Sequence, residues 1–181
     1  MKKIALILVV IGLAFTSCDN TIDITRKISA EDAAIVPYQN GQTIKFLNTL
    51  TNDTLELTVT DDHIQKMNSY EHYYGQYDSY NSYSYCRYIS MSDEFNLNKI
   101  EFIICPDKEF YFVFNDYGKK TTIGIDFDLN EIEPLATTTI EGKDYTNVYT
   151  KNLSEGGKAF FSTEKGLIML RTVNYSYLLI E

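Results

Sequence analysis

From Gln42 to Ile180 apolar side chains return at every second position, and short turn-forming clusters interrupt them. That is the period of a β-strand, whose successive side chains point to opposite faces of a sheet. Ile44 and Phe46 are followed by Leu55, Leu57 and Val59, with Glu56, Thr58 and Thr60 on the other side. Thr51-Asn52-Asp53 supplies the turn between them, so residues 42–60 read as a hairpin. Further strands are expected at 83–91, 97–105, 109–115, 121–127, 135–140, 145–150, 158–163, 167–173 and 177–180. Pro106-Asp107, Asn115-Asp116-Tyr117-Gly118, Glu141-Gly142-Lys143, Gly156-Gly157 and Glu164-Lys165-Gly166 separate them. Connections this short join antiparallel neighbours, because a parallel crossover takes a dozen residues or more. Two runs, Ile100-Glu101-Phe102-Ile103-Ile104 and Phe110-Tyr111-Phe112-Val113-Phe114, are apolar on both faces and belong in mid-sheet. The expected fold is mainly all-β. It is an antiparallel meander of about ten strands, curled into a barrel, a half-barrel or a sandwich, since so wide a sheet curls or splits.

Ahead of these strands, Met1 to Cys18 divides into a charged start (Lys2, Lys3), an apolar run from Ile4 to Phe15 and the small residues Thr16 and Ser17. That is the layout of a secretory leader. The run is too short for the roughly 20 residues with which a helix spans a bilayer, so it is expected to be an address and not a permanent anchor. Phe15-Thr16-Ser17-Cys18 resembles a bacterial lipobox, with Phe15 where the pattern usually has Leu. The resemblance implies that residues 1–17 are a lipoprotein signal peptide and that Cys18 is acylated, as by palmitate, and becomes the first residue. Each buried acyl CH2 is worth about 0.8 kcal/mol, and several chains together tether a domain firmly. Residues 18–28 then read as the lipidated Cys and a polar tether, and residues 29–181 as one β-rich domain. Ser29-Ala-Glu-Asp32 caps one helical turn ahead of Pro37. Loss of Lys2 and Lys3 makes the domain two charges more negative than the -9 of the whole chain.

A wider likeness rests on Tyr38-Gln-Asn-Gly41 running into Ile44-Lys-Phe46, on Asp53-Thr-Leu-Glu-Leu-Thr-Val59, and on Gly142-Lys-Asp-Tyr145-Thr-Asn-Val148-Tyr149 followed by Phe160-Phe161-Ser162. In these segments the chain resembles the small cell-envelope lipoproteins typical of Bacteroidetes-type bacteria. That resemblance implies lipidation, a β-rich domain and an envelope location, most often the outer membrane, facing the periplasm or the surface. It supplies no catalytic residue.

Lys+Arg 16 against Asp+Glu 25 speaks against nucleic acid, whose phosphates are held by clustered cations. GxSxG, GxGxxG, HExxH and CxxC are absent, so no catalytic residue, cofactor or metal is expected. The enzyme class still open is a hydrolase whose two carboxylates are brought together by folding. Asp126-Phe-Asp128-Leu-Asn130 copies the opening of an EF-hand loop, but Glu131 stands where Gly is needed and Thr137 where a bidentate Glu is needed. His63 and His72 make no metal motif. Cys86 and Cys105 are the two cysteines besides Cys18, and an exported protein allows them to pair. A hairpin around Ser92 to Asn96 sets Cys86 across from Cys105 and Ile89 across from Phe102, whereas a slip of one residue leaves two buried thiols.

Eight of the 15 tyrosines fall between Tyr70 and Tyr88, among Ser, Asn, Gln and Asp. Tyr73, Tyr74, Tyr77 and Tyr80 are the candidate contacts to a glycan or protein partner, aromatic faces beside amides and hydroxyls being suited to both. A polar loop whose tyrosines merely cover the sheet is the blander reading. The expectation is a membrane-tethered binding or accessory protein without evident catalysis. Its alternatives are a lipocalin-like carrier of an apolar ligand and an acidic periplasmic inhibitor or immunity protein.

Overall fold

The computed structural model describes residues 22–69, 80–153 and 156–180. Their strands are β1 (Ile22–Lys27), β2 (Thr43–Asn48), β3 (Asp53–Ser69), β4 (Tyr80–Ser92), β5 (Asn98–Ile104), β6 (Glu109–Asp116), β7 (Thr121–Asp128), β8 (Leu135–Ile140), β9 (Lys143–Asn152), β10 (Lys158–Ser162), β11 (Gly166–Arg171) and β12 (Ser176–Ile180). One helical turn, α1 (Ala30–Ala33), precedes β2. Ser29 caps it, its Oγ accepting the Asp32 N–H at 3.0 Å and donating to the Asp32 carboxylate at 2.8 Å.

The strands form one sheet in the order β7-β6-β5-β4-β3-β2-β12-β11-β10-β9-β8. Every pair along that path is antiparallel. The chain enters in mid-sheet, winds out to β7, crosses to the far edge at β8 and winds back until β12 pairs with β2. Inward side chains of β2 to β7 and of β10 to β12 share one core, so the sheet curls over itself, yet β7 and β8 do not pair and the ring stays open.

Two sequence expectations need correction. The tether expected at residues 18–28 is part of the fold from Ile22 onward, because β1 pairs in parallel with Tyr80 to Tyr85 of β4. β5 covers β4 only between Arg87 and Ser92, which leaves the backbone from Tyr80 to Tyr85 open to a further strand. Residues 61–69, which lie outside the expected strands, are likewise strand, since β3 runs on to Ser69 against β4. Its polar side chains hide the period, but the backbone bonds to β4 do not require it.

Ile89, Phe102, Phe112 and Ile125 face one another across four adjacent strands on the inner face, and all are buried. Around them rings fill the interior: Phe110 stacks on Phe127 with centroids 4.9 Å apart, Phe161 lies 4.5 Å from Phe110, and Tyr38 packs on Phe102 at 5.5 Å. Two bulges adjust which residues point inward. Between β10 and β11, Phe160 pairs with Met169 and Phe161 with Leu167, so Ile168 is an extra residue. Leu167 and Leu170 therefore reach the main core, while Ile168 and Met169 meet Ile140, Val148 and Leu178 in a second cluster on the other face. The break between Val59 and Asp61 in β3 does the same, turning Asp62 inward toward Arg87 and leaving Asp61 and His63 outside.

Arg87 clamps the segment that closes one end. Its guanidinium donates to both Asp62 carboxylate oxygens at 2.8 Å and to the carbonyls of Ala33 (2.6 Å), Val36 (2.9 Å) and Tyr38 (2.6 Å). The carbonyls of a segment with no strand partner thus find a donor in a side chain. Across the core, Tyr38 Oη accepts the Leu167 N–H at 2.8 Å, and burial pushes its phenol well above the usual range.

Candidate functional site

On the outer face of β3 to β7, residues stand in cross-strand rows. His63, Tyr88, Ile103, Tyr111 and Asp126 face one another in sequence, one from each strand. Asp61, Ser90, Glu101, Val113 and Gly124 form the next row, and Lys99, Asn115 and Thr122 the one after. Adjacent strands lie about 4.8 Å apart, so the first row spans roughly 19 Å.

Glu101 organises these rows. One carboxylate oxygen receives the Tyr88 hydroxyl and the Lys99 ammonium (2.8 Å), and the other receives the Asn115 amide (3.4 Å), which in turn accepts from Thr122 (2.8 Å). Burial alone would raise the Glu101 pKa; the bonds from Lys99 and Tyr88 outweigh it and hold the carboxyl below its ordinary value. Lys99 is raised chiefly by its bond to Glu101, and Tyr88 chiefly by burial and then by the same carboxylate. All three groups are fixed in the protonation states that make these bonds. Beside them His63 bonds Asp61 at 2.9 Å and packs its ring 5.3 Å from that of Tyr88. The Tyr111 ring crosses β7 over Gly124, where an added Cβ would lie 2.2 Å from Tyr111 Oη. A glycine there is what lets the ring lie down on the sheet. Chemically, the face offers aromatic surface with locked polar groups beside it, an arrangement suited to recognition.

The residues singled out in the sequence fall in several places. Cys18, Tyr73, Tyr74, Tyr77 and His72 lie outside the described residues. Tyr80 opens β4, with its backbone opposite Ile22. Downstream of it Tyr83 lies under the Lys66 ammonium, 3.5 Å from the ring centroid, and Tyr88 joins the outer row. The β4–β5 register sets Cys86 and Cys105 across from each other and Ile89 across from Phe102, and the two cysteines are joined in a disulfide. Asp126 and Asp128 sit on a strand and not in an ion-binding loop, and Asn130 turns away to the Asp107 carbonyl at 2.5 Å. No group of three or more His, Cys, Asp or Glu side chains suited to a metal occurs among the described residues. The carboxylates that folding does crowd are at one corner: burial raises the Glu109 pKa first, then the charges of Asp128, Asp126 and Asp107, with Arg26 opposing.

A surface slot of about 240 Å3 runs along β7, with residues 151–153 of the β9–β10 connection and Thr172, Asn174 and Tyr175 of the β11–β12 turn as its far wall. Tyr175 is buried, and its hydroxyl makes no hydrogen bond of normal geometry among the described residues. Burial is the main cause of its raised pKa, and the neighbouring Thr121 and Asp116 bias it in opposite directions.

Sheet order and filled core define the class: a mainly antiparallel β protein whose single sheet curls over an apolar core without closing into a barrel, with a polar aromatic face outward. Neither a family model, nor a curated protein, nor a solved structure matches the chain.

Proposed function

We propose that this is a lipid-anchored binding or accessory protein of a bacterial envelope, held to the outer membrane through Cys18 and meeting its ligand on the outer face of β3 to β7. The observation that carries the ligand side is the row His63–Tyr88–Ile103–Tyr111–Asp126 with the locked Glu101 cluster beneath it. Half-exposed rings and fixed amide, hydroxyl and carboxylate groups suit the faces and hydroxyls of sugar rings or a polar protein surface. The tyrosines at 73, 74, 77 and 80 extend the same chemistry along the chain. A lipocalin-like carrier is the weaker reading, because Phe102, Phe110, Phe112, Phe127 and Phe161 occupy the space its ligand would need. The acidic corner at Asp107, Glu109, Asp126 and Asp128 favours, as a second reading, an inhibitor that docks on a basic partner.

Growing cells with an alkyne-bearing palmitate and comparing the chain with Cys18→Ala tests the anchor: label is expected on the first alone, and equal labelling sinks it. Titrating the protein with purified envelope polysaccharide tests the face. Tyr111→Ala and His63→Ala are expected to weaken binding without lowering the melting temperature. Binding that neither change alters would place the contact elsewhere.

A further inference from the structure

The slot beside β7 is a small, walled site. One side is the β7 edge from Thr121 to Asp126, and the other is residues 151–153 with Thr172, Asn174 and Tyr175. β7 pairs with β6 alone, and antiparallel pairing uses the N–H and C=O of alternate residues, so three of these six residues turn both groups away from β6. No backbone hydrogen bond joins them to the opposite wall among the described residues. In that wall Tyr175 is buried, its hydroxyl without a hydrogen bond of normal geometry among the described residues. At about 240 Å3 the slot is smaller than the roughly 300–1,000 Å3 that drug-sized ligands occupy, and it has room for a single ring-sized molecule.

Lys151 gives the slot its chemistry. It stands opposite Ala159, which faces the main core, so its stem lies on the inner side of the sheet, as does Leu153, which packs on that core. Lys151 is half-buried, and it makes no ion pair, hydrogen bond or ring contact among the described residues. A partly desolvated cation without a counter-ion is costly. The other charged residue of the lining, Asp126, alternates with the inward Ile125 and Phe127 and so belongs to the outer face. Ile125 lies in the core and Ile123 packs against it, which makes the inner face of β7 an apolar floor. The slot thus combines one cation, a row of neutral backbone donors and acceptors, and an apolar surface. A phosphate, with nearly two charges, is held by clustered cations or a guanidinium fork; one lysine among neutral groups matches a carboxylate.

We propose that the slot binds one acidic sugar residue, a hexuronic acid, with its carboxylate on Lys151, its hydroxyls on the open N–H and C=O groups of β7, and its C–H face on Ile123 and Ile125. A neutral sugar would leave Lys151 unpaired, and a small carboxylate without hydroxyls would leave the β7 groups unused. The proposal rests on the glycan reading given above and names the sugar class that reading requires. The slot also adjoins the outer row, because Gly124, over which the Tyr111 ring lies, is part of its lining. Neighbouring sugars of a chain held by its acidic residue would therefore reach Tyr111.

Titrating the full chain in mild detergent with glucuronate and with glucose, followed by ligand-observed NMR, reads the slot without any polysaccharide. Glucuronate is expected to bind about tenfold more tightly than glucose, with an affinity that falls as salt is added. Lys151→Met should weaken glucuronate about tenfold and leave the two sugars equal. Lys143→Met, which removes an exposed lysine at the start of β9, should change neither. Melting temperatures verify that both variants fold. Glucuronate should also slow hydrogen exchange of the amides from Thr121 to Asp126. Equal binding of the two sugars, binding of neither, the same loss in both variants, or unaltered exchange along β7 overturns the inference. Polysaccharides separate this outcome from the broader reading. If neutral and acidic ones bind alike and K151M makes no difference, the slot is refuted and the glycan face stands; if neither the free sugars nor any polysaccharide binds, both fall.

Discussion

Replacing Arg87 by Met tests whether the terminal segment is held by a clamp or merely by its buried apolar residues. The guanidinium makes five hydrogen bonds with donor–acceptor distances of 2.6–2.9 Å, two to Asp62 and three to the carbonyls of Ala33, Val36 and Tyr38. The side chains of Arg87 and Asp62 are 15% and 21% exposed, so water replaces little of what is lost. Removing one partner of such a pair costs about 4 kcal/mol, because the other charge is left uncompensated in a largely dry site. For a domain of this size that lowers the melting temperature by roughly 10 °C. Asp62→Leu alone leaves Arg87 its three carbonyls and should cost about 2 kcal/mol. The double variant leaves no unpaired charge, so it should cost no more than R87M alone, and the two changes are strongly non-additive. Urea unfolding followed by far-ultraviolet dichroism and tyrosine fluorescence gives these values, the chain having no tryptophan. Hydrogen exchange over residues 29–41 separates local release from global loss. A cost below about 1 kcal/mol for R87M, or an additive cycle, would refute the clamp.

Replacing both Cys86 and Cys105 by Ala opens a loop with a sequence separation of 19 and should cost about 3 kcal/mol in the chain-entropy account, read from denaturation with and without reductant. Two separately alkylatable thiols in the untreated protein would contradict that expectation. Gly166 has φ +78°, and a Cβ there would lie 2.2 Å from Tyr38 Oη and 2.3 Å from Cζ, so Gly166→Ala should cost about 3 kcal/mol, while Tyr38→Phe, which strands the Leu167 N–H, should cost about 1.5 kcal/mol. Equal melting temperatures for wild type and G166A would show that the ring yields freely. Burial, then Asp116 and Tyr175, push the Tyr177 phenol up to about 12, and burial raises Tyr38 further. A phenol that stays protonated in the fold but ionises when unfolded makes stability fall with rising pH. The loss should begin near the free value of about 10 and continue through about 12, with Tyr177→Phe flattening the slope of the denaturation midpoint.

The β2–β3 hairpin and most strands from β4 to β12 are legible because they alternate or are apolar on both faces, and because Gly, Asn and Asp mark their turns. Even the β4–β5 register is legible, since a short hairpin turn fixes which residues face each other. Legibility stops where burial stops constraining the side chains. Asp61-Asp62-His63-Ile64-Gln65-Lys66 has no strand period, because its side chains meet Arg87, Tyr88, Tyr83 and solvent and not the apolar core. β1 was hidden for the same reason. At the site, Glu101 is visible as a lone charge in an apolar run, but its company is not: Tyr88, Asn115 and Thr122 come from three other strands and depend on registers set elsewhere. Arg87 sits in a run of tyrosine and serine and gives no hint that backbone carbonyls from residues 33–38 converge on it.

Why the ring stays open follows from the connection at the seam. β7 ends at Asp128 and β8 begins at Leu135, directly after Pro134, too short a link for any crossover helix. A six-residue link could still have made a hairpin. Instead β8 pairs with the first half of β9, from Lys143 to Val148, and leaves residues 149–152 of β9 without a neighbour on that side. Asn147, in the left-handed region at φ 52°, breaks the ladder where Ala136 would have faced it and bends the β8–β9 hairpin, whose Ile140 and Val148 bury against Met169 and Leu178. The β8–β9 hairpin thus helps to bury a small outer core on the far face, and β7 and β8 remain the two edge strands of the sheet.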